Sequence, residues 1–200
     1  MRSVRKVLAK ALYDTSELAY DLTGDSINAL PEYFLSVKIA EHLHDHFHSF
    51  SFSMEDSIPE LAEEIGMDIE DESFEYRLTG KADLVVRSKK SRRLRHVVEL
   101  KRSLGIDGIR NDALRLAWIC ANTPLGHRAE KNYLVVATHK SELFFIKRSQ
   151  EIQKWINESI GEGIVKIVFE PVDLTFLTST HRNGRGRSLF GGVWEFKYIA

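Results

Sequence analysis

Three observations in the sequence predict an α/β fold, a mixed β-sheet flanked by helices. Stripes of apolar residues at helical spacing alternate along the chain with short β-rich runs. Two such runs, Leu84 to Val86 and Val97 to Leu100, flank a loop of Ser, Lys and Arg and read as a hairpin. A third, Tyr133 to Thr138, is nearly continuously apolar, as expected of a strand covered on both faces. The 200 residues, 43% hydrophobic and 28% charged, suffice for a single domain with its own core.

Taken in order, residues 4–22 are amphipathic and read as a helix of the mature fold. Their basic start is followed at once by Asp14 and Glu17, with no signal-peptide core. After a break over 24–30, a second helix starts near Pro31, favoured in a first helical turn, and runs to about His48. Its stripe is Leu35, Ile39, Leu43 and Phe47; stepping back along that face reaches Glu32, whereas Glu41 falls on the other side. Phe50-Ser-Phe-Ser-Met54 alternates like a strand. Residues 55–75 form an acidic insertion with a short helix near 58–65, and strands are expected over 74–86 and 94–100. A helix over 106–122 carries Ile109, Ala113, Leu116, Ala117 and Cys120 on one face and ends at Asn122-Thr-Pro-Leu-Gly126. Beyond the strand at 133–138, residues 143–147 read as another short strand, 149–160 as a helix, and 164–169 and 193–198 as strands. The core of the domain is thus about 31–138, with a C-terminal extension over 148–200. Trp118, Trp155 and Trp194 are read as core or interface residues.

The only cysteine, Cys120, excludes an internal disulfide and suits a reducing cytoplasm; on an apolar helical face it reads as a buried, inert thiol. No apolar run approaches the roughly 18 residues a membrane helix needs, so a cytoplasmic protein without a membrane partner is expected. Net charge is −1, which excludes a bulk polycation, yet the charge is segregated. From Arg77 to Arg102 the only acids are Asp83 and Glu99, whereas from Glu55 to Glu75 there is no Lys or Arg. The acidic run reads as a solvated segment, and the basic one as the footprint of a phosphate-backbone partner.

Within the basic stretch, Gly80-Lys-Ala-Asp83-Leu-Val-Val-Arg87 is followed by His96-Val-Val-Glu99-Leu-Lys101. Asp83 and Glu99 are equidistant from Ser91, so a symmetric hairpin sets them opposite each other. Directly opposed like charges are destabilising, with Cβ atoms about 4.5–5.5 Å apart. Glu99 and Lys101, two apart on one strand, share a face. A divalent cation would relieve the carboxylate repulsion, and hard oxygen donors suit Mg²⁺. Glu32, inward at a helix start, has two readings, as a carboxylate favourable to the helix dipole or as one reaching into this patch.

These residues, in this order of elements, resemble the PD-(D/E)XK nuclease superfamily, the restriction endonuclease-like fold with its αβββαβ core. The resemblance spans roughly residues 31–138. Asp83 matches the motif aspartate, Glu99 and Lys101 the Glu-x-Lys pair, and Glu32 the first-helix acid, although Ala82 stands where the family name has proline. A second Glu-x-Lys, Glu195-Phe-Lys197, has no Asp at a hairpin distance and counts as a decoy. The resemblance implies an Mg²⁺-dependent nuclease, with Mn²⁺ able to substitute, whose metal is held by Asp83, Glu99 and the Leu100 carbonyl, with Glu32 at a second metal or a bridging water. It further implies that Lys101 orients or deprotonates the attacking water.

For the nucleic acid, expected to be DNA, the contacts are Lys89, Lys90, Arg92 and Arg93 in the hairpin loop, Arg102, and Arg185 and Arg187 in the glycine-flanked C-terminal loop. Arg115 is either a phosphate contact or the partner of Asp112 on the same helix face. His42, His44, His46 and His48 form two i, i+4 pairs on different faces with no Cys nearby, so they read as polar surface positions and not as a zinc site. Cutting both strands of a duplex would call for a homodimer or a partner subunit. Two competing readings are a catalytically silent nucleic-acid-binding or assembly subunit, and a protein-interaction module acting through the acidic segment.

Overall fold

The computed structural model describes residues 3–67, 76, 78–102, 105–124, 129, 131–179 and 187–200. In chain order the elements are α1 (Val4–Thr23), a 3₁₀ turn (Ile27–Ala29), α2 (Glu32–His46), β1 (Phe50–Ser57), α3 (Ile58–Ile65), β2 (Lys81–Ser88), β3 (Leu94–Lys101), α4 (Ile106–Asn122), β4 (Lys131–Thr138), α5 (Glu142–Ser159), β5 (Val165–Ser179) and β6 (Arg187–Tyr198). The strands form a six-stranded mixed sheet in the order β1-β2-β3-β4-β6-β5. Among the described residues only β3 and β4 pair in parallel. A parallel pair needs a crossover, and α4 supplies it. The fold is α/β.

Each face of the sheet is covered. On one, Leu8 and Leu12 of α1 and Leu35, Ile39 and Leu43 of α2 pack with Leu84, Val98, Leu100 and Val135. On the other, α3, α4 and α5 contribute Leu61, Leu116 and Ile152, which pack with Val85, Val97, Leu134 and Trp194. The central strands are therefore apolar on both faces, as Tyr133 to Thr138 announced. Cys120 is fully buried; burial pushes its thiol up to about 12, so it is the inert thiol expected. Asn132, also buried, closes the α4–β4 corner: it accepts from Val97 N (2.8 Å) and donates to the Leu116 carbonyl (3.0 Å). Trp118 and Trp194 are buried, and Trp155 packs against the same core.

Two expectations are corrected. Residues 143–147 are not a strand but the start of α5, which runs unbroken from Glu142 to Ser159. Its buried positions, Phe145, Arg148, Ile152 and Ile156, are spaced for a helix, while Leu143, Phe144 and Ile146 remain exposed. Next, β5 and β6 are longer than the expected runs. β5 passes through Pro171, a residue an edge strand tolerates because one side of it has no ladder to feed. Gly192 allows the Phe169 ring to lie against β6, since a Cβ there would sit 2.3 Å from it. The C-terminal extension joins the same sheet, its β6 pairing with β4 along the whole of β4. Of the acidic insertion, residues 68–75 lie outside the described residues, as does the expected start of the strand at Phe74.

Candidate active site

The ladder between β2 and β3 pairs Leu84 with Val98, Val85 with Val97 and Val86 with His96. Carried one residue further, that register brings Asp83 opposite Glu99, as the symmetry about Ser91 predicts. On the other side of β2 the β1 ladder passes over the Glu55–Asp83 position, and Glu55 adopts φ 59°. The sheet is thus interrupted beside Asp83. Its carboxylate is part-buried, and Oδ2 accepts a hydrogen bond from the Leu100 backbone N–H at 2.6 Å.

Strand alternation turns Glu99 and Lys101 together towards α4. There the i, i+3 pair Asp112 and Arg115 meets them on the buried face of the helix. Arg115 Nη2 donates to Glu99 Oε1 at 2.5 Å and to Asp112 Oδ1 at 2.9 Å. Lys101 Nζ lies 3.0 Å from Asp112 Oδ2. Glu99 is 1% exposed, whereas the Lys101 side chain is 29% exposed, so Lys101 forms the wet side of the cluster and Glu99 its floor.

Three carboxylates (Asp83, Glu99, Asp112) face two cations (Lys101, Arg115), leaving one net negative charge in a largely dry space. The consequences follow from burial and charge. Burial lifts the Glu99 carboxyl well above the carboxylate range; Arg115 and Lys101 oppose this, while Asp83 and Asp112 add to it. Burial alone would lower Lys101, but Asp112, Asp83 and Glu99 outweigh it and raise the ammonium. Lys101 is therefore held as an ammonium at neutral pH. Arg115 is raised for the same reason, its burial being outweighed by Glu99 and Asp112.

The remaining expected residues are dispersed. Glu32 opens α2 and is part-buried, but among the described residues no three His, Cys, Asp or Glu side chains gather as a metal-ligand set. The donor chemistry of Asp83 and Glu99 suits a hard cation and the net charge favours one, yet the Glu99 oxygen that faces the cluster is held by Arg115. Arg115 is 6% exposed, which replaces the expected phosphate contact with its ion pairs to Glu99 and Asp112. Arg102 Nη1 donates to the Leu30 carbonyl at 2.5 Å, tying the end of β3 to the segment that leads into α2. Lys89, Lys90, Arg92 and Arg93 are exposed in the β2–β3 turn at the far end of the hairpin. Arg185 lies outside the described residues, and Arg187 begins β6. His42 stacks on His46, and His44 meets His48 edge-on, in the two expected pairs. Glu195 of the second Glu-x-Lys is buried and paired with Lys131 (3.2 Å) and Arg5 (3.7 Å), far along the sheet from Asp83.

What sequence reading missed is Arg115 and Asp112 as the partners of Glu99 and Lys101. The signal was present as two opposite charges at helical spacing on an otherwise apolar helix face. No family model matches the chain, and no curated protein or solved structure proved similar to it.

Proposed function

We propose that the protein is a metal-dependent nuclease that hydrolyses phosphodiester bonds, a DNA endonuclease of restriction, defence or DNA-processing type. The observation that carries this reading is the meeting of Asp83, Glu99 and Lys101 at an interruption of the sheet, around one net negative charge. The element order α2, β1, α3, β2, β3, α4, β4 contains the elements of the core that the sequence resemblance implies, with α3 interposed between β1 and β2, and adds support.

In this reading Mg²⁺ would be held by Asp83, Glu99 and the Leu100 carbonyl, without Glu32, which opens α2 on the other face of the sheet. When bound, it would supply a more acidic water and charge neutralisation at the scissile phosphate. The rest falls to the chain itself. Asp83, anchored by the Leu100 N–H, presents a fixed carboxylate edge. Lys101 stays protonated and donates: it orients the attacking water and stabilises charge on the phosphate oxygens. Asp112 positions its ammonium from behind.

One observation favours a second reading. Arg115 already supplies Glu99 with a cation, as a silent nuclease-fold subunit that has exchanged metal for an internal ion pair would. Incubating the purified protein with plasmid, single-stranded DNA and RNA, with Mg²⁺ and with EDTA, decides between them. The nuclease reading expects cleavage that EDTA abolishes and that falls by at least about 100-fold in Asp83→Ala and Lys101→Ala, with binding retained. Metal-independent binding without cleavage by the wild type would overturn it in favour of the silent subunit.

A further inference from the structure

The end of the sheet remote from this cluster carries an unbalanced charge. Lys131 pairs with Lys197 across β4 and β6, and Lys197 pairs with Lys166 across β6 and β5. Residues directly opposite share a face, so the three lysines form a row across three strands, spaced about 5 Å apart, on the side that α1 covers. They lie beyond that cover. Arg5, in the first turn of α1, reaches Glu195 (3.7 Å), one alternation inward from the row, and Glu170 (3.1 Å), two alternations inward. Lys131 leans back to Glu195 at 3.2 Å, but Lys166 and Lys197 are exposed and pair with no acid among the described residues.

Like charges opposed across strands cost stability, and here the cost is incurred twice in succession. The same end holds the β2–β3 turn with its exposed lysines and arginines, closed by the Ser88 N–H on the Arg93 carbonyl. His96, next in the row, joins the two groups: its Nδ1 donates to the Lys131 carbonyl at 2.7 Å. Burial holds its ring down at about 4, against the hydrogen bond to the Lys131 carbonyl, with the charges of Lys131 and Arg95 adding to the lowering.

We propose that this end of the sheet, the row Lys131, Lys197 and Lys166 with the turn at 89–93, is an anchoring surface for the phosphate backbone of a nucleic acid. It is separate from the carboxylate cluster. Five residues along β3 from His96 to Lys101 amount to about 17 Å, and the row faces the opposite side of the sheet from Glu99. The backbone held here is thus not at the scissile position; it is another stretch, held without base readout. The inference shares with the proposed function a nucleic-acid partner, but not the cleavage step.

The test is fluorescence anisotropy of a labelled DNA duplex and a single strand of the same length, in EDTA, across a salt series. Lys166→Gln/Lys197→Gln, which alters exposed side chains and should leave the melting temperature unchanged, is expected to weaken binding about tenfold and to lower the salt slope by about 2. Lys147→Gln/Lys154→Gln on α5, equally exposed, should change neither. Wild-type binding and slope retained in the Lys166/Lys197 variant would overturn the anchor, while metal-dependent cleavage by the same preparation would leave the nuclease reading standing. Lysine-dependent binding without cleavage would do the reverse. A wild type that binds neither probe overturns both.

Discussion

Glu99 has almost no access to water, and Arg115 offsets part of the cost of its charge there. Removing one partner of a buried pair leaves the other uncompensated, which costs about 3–5 kcal/mol. Arg115→Met should therefore lower stability by that order in urea unfolding followed by tryptophan fluorescence, and adding Glu99→Gln should recover much of the loss. The pH sign follows from linkage. The Glu99 carboxyl is raised in the folded state, so the native protein binds the extra proton and stability falls as pH rises through that range. The Arg115→Met penalty should shrink on acidification; a penalty that grows at low pH would refute the ion-pair account. At this scale the opposition of Asp83 and Glu99 was legible in part: symmetry about Ser91 points to it, but the turn end pairs Arg87 with Leu94, and a one-residue register shift between Val86 and Arg87 restores that symmetry. The Arg115–Glu99 contact was not, because it depends on how α4 is rotated above β3.

Among the elements, α5 is where pattern and structure part. Leu143-Phe-Phe-Ile-Lys147 has the composition of a strand, yet it continues into a helix whose inner face is Phe145, Arg148, Ile152 and Ile156. Helical spacing beyond Lys147 decides the matter: one buried position per turn secures the segment against Phe169 and Trp194, whose rings stack with Phe145 at centroid distances of 5.6 and 5.5 Å. A strand would put residues 143 and 145 on one face with similar burial. The helix separates them, so Phe145→Ala should cost about 3–5 kcal/mol in thermal or urea unfolding. Leu143→Ala, at a position 74% exposed, should stay within about 0.5 kcal/mol. Equal losses would refute the helical assignment. Elements that end in a clear break were read correctly, as with α3 and α4; those without one, β5 and β6, were read short.

For the molecule as a whole, the C-terminal hairpin determines whether the sheet is complete. β6 lies between β4 and β5 and contributes Trp194 and Phe196, both fully buried, while α1 packs across β5 and β6. A chain ending after α5 would expose the apolar edge of β4 and leave α1 without much of its partner surface. Such a truncation should lose its cooperative thermal transition by circular dichroism; a two-state melt near that of the full chain would show the hairpin to be dispensable. The sequence alone determined the periodicities, hence the kinds of most elements and the α/β class, because these depend on neighbours a few residues apart. Only the tertiary structure decided the strand order, the burial of Glu99 beneath Arg115 and the alignment of Lys131, Lys197 and Lys166. Those depend on which faces meet across long sequence separations, where the free energy of burying apolar surface from both sides of the sheet outweighs any local preference.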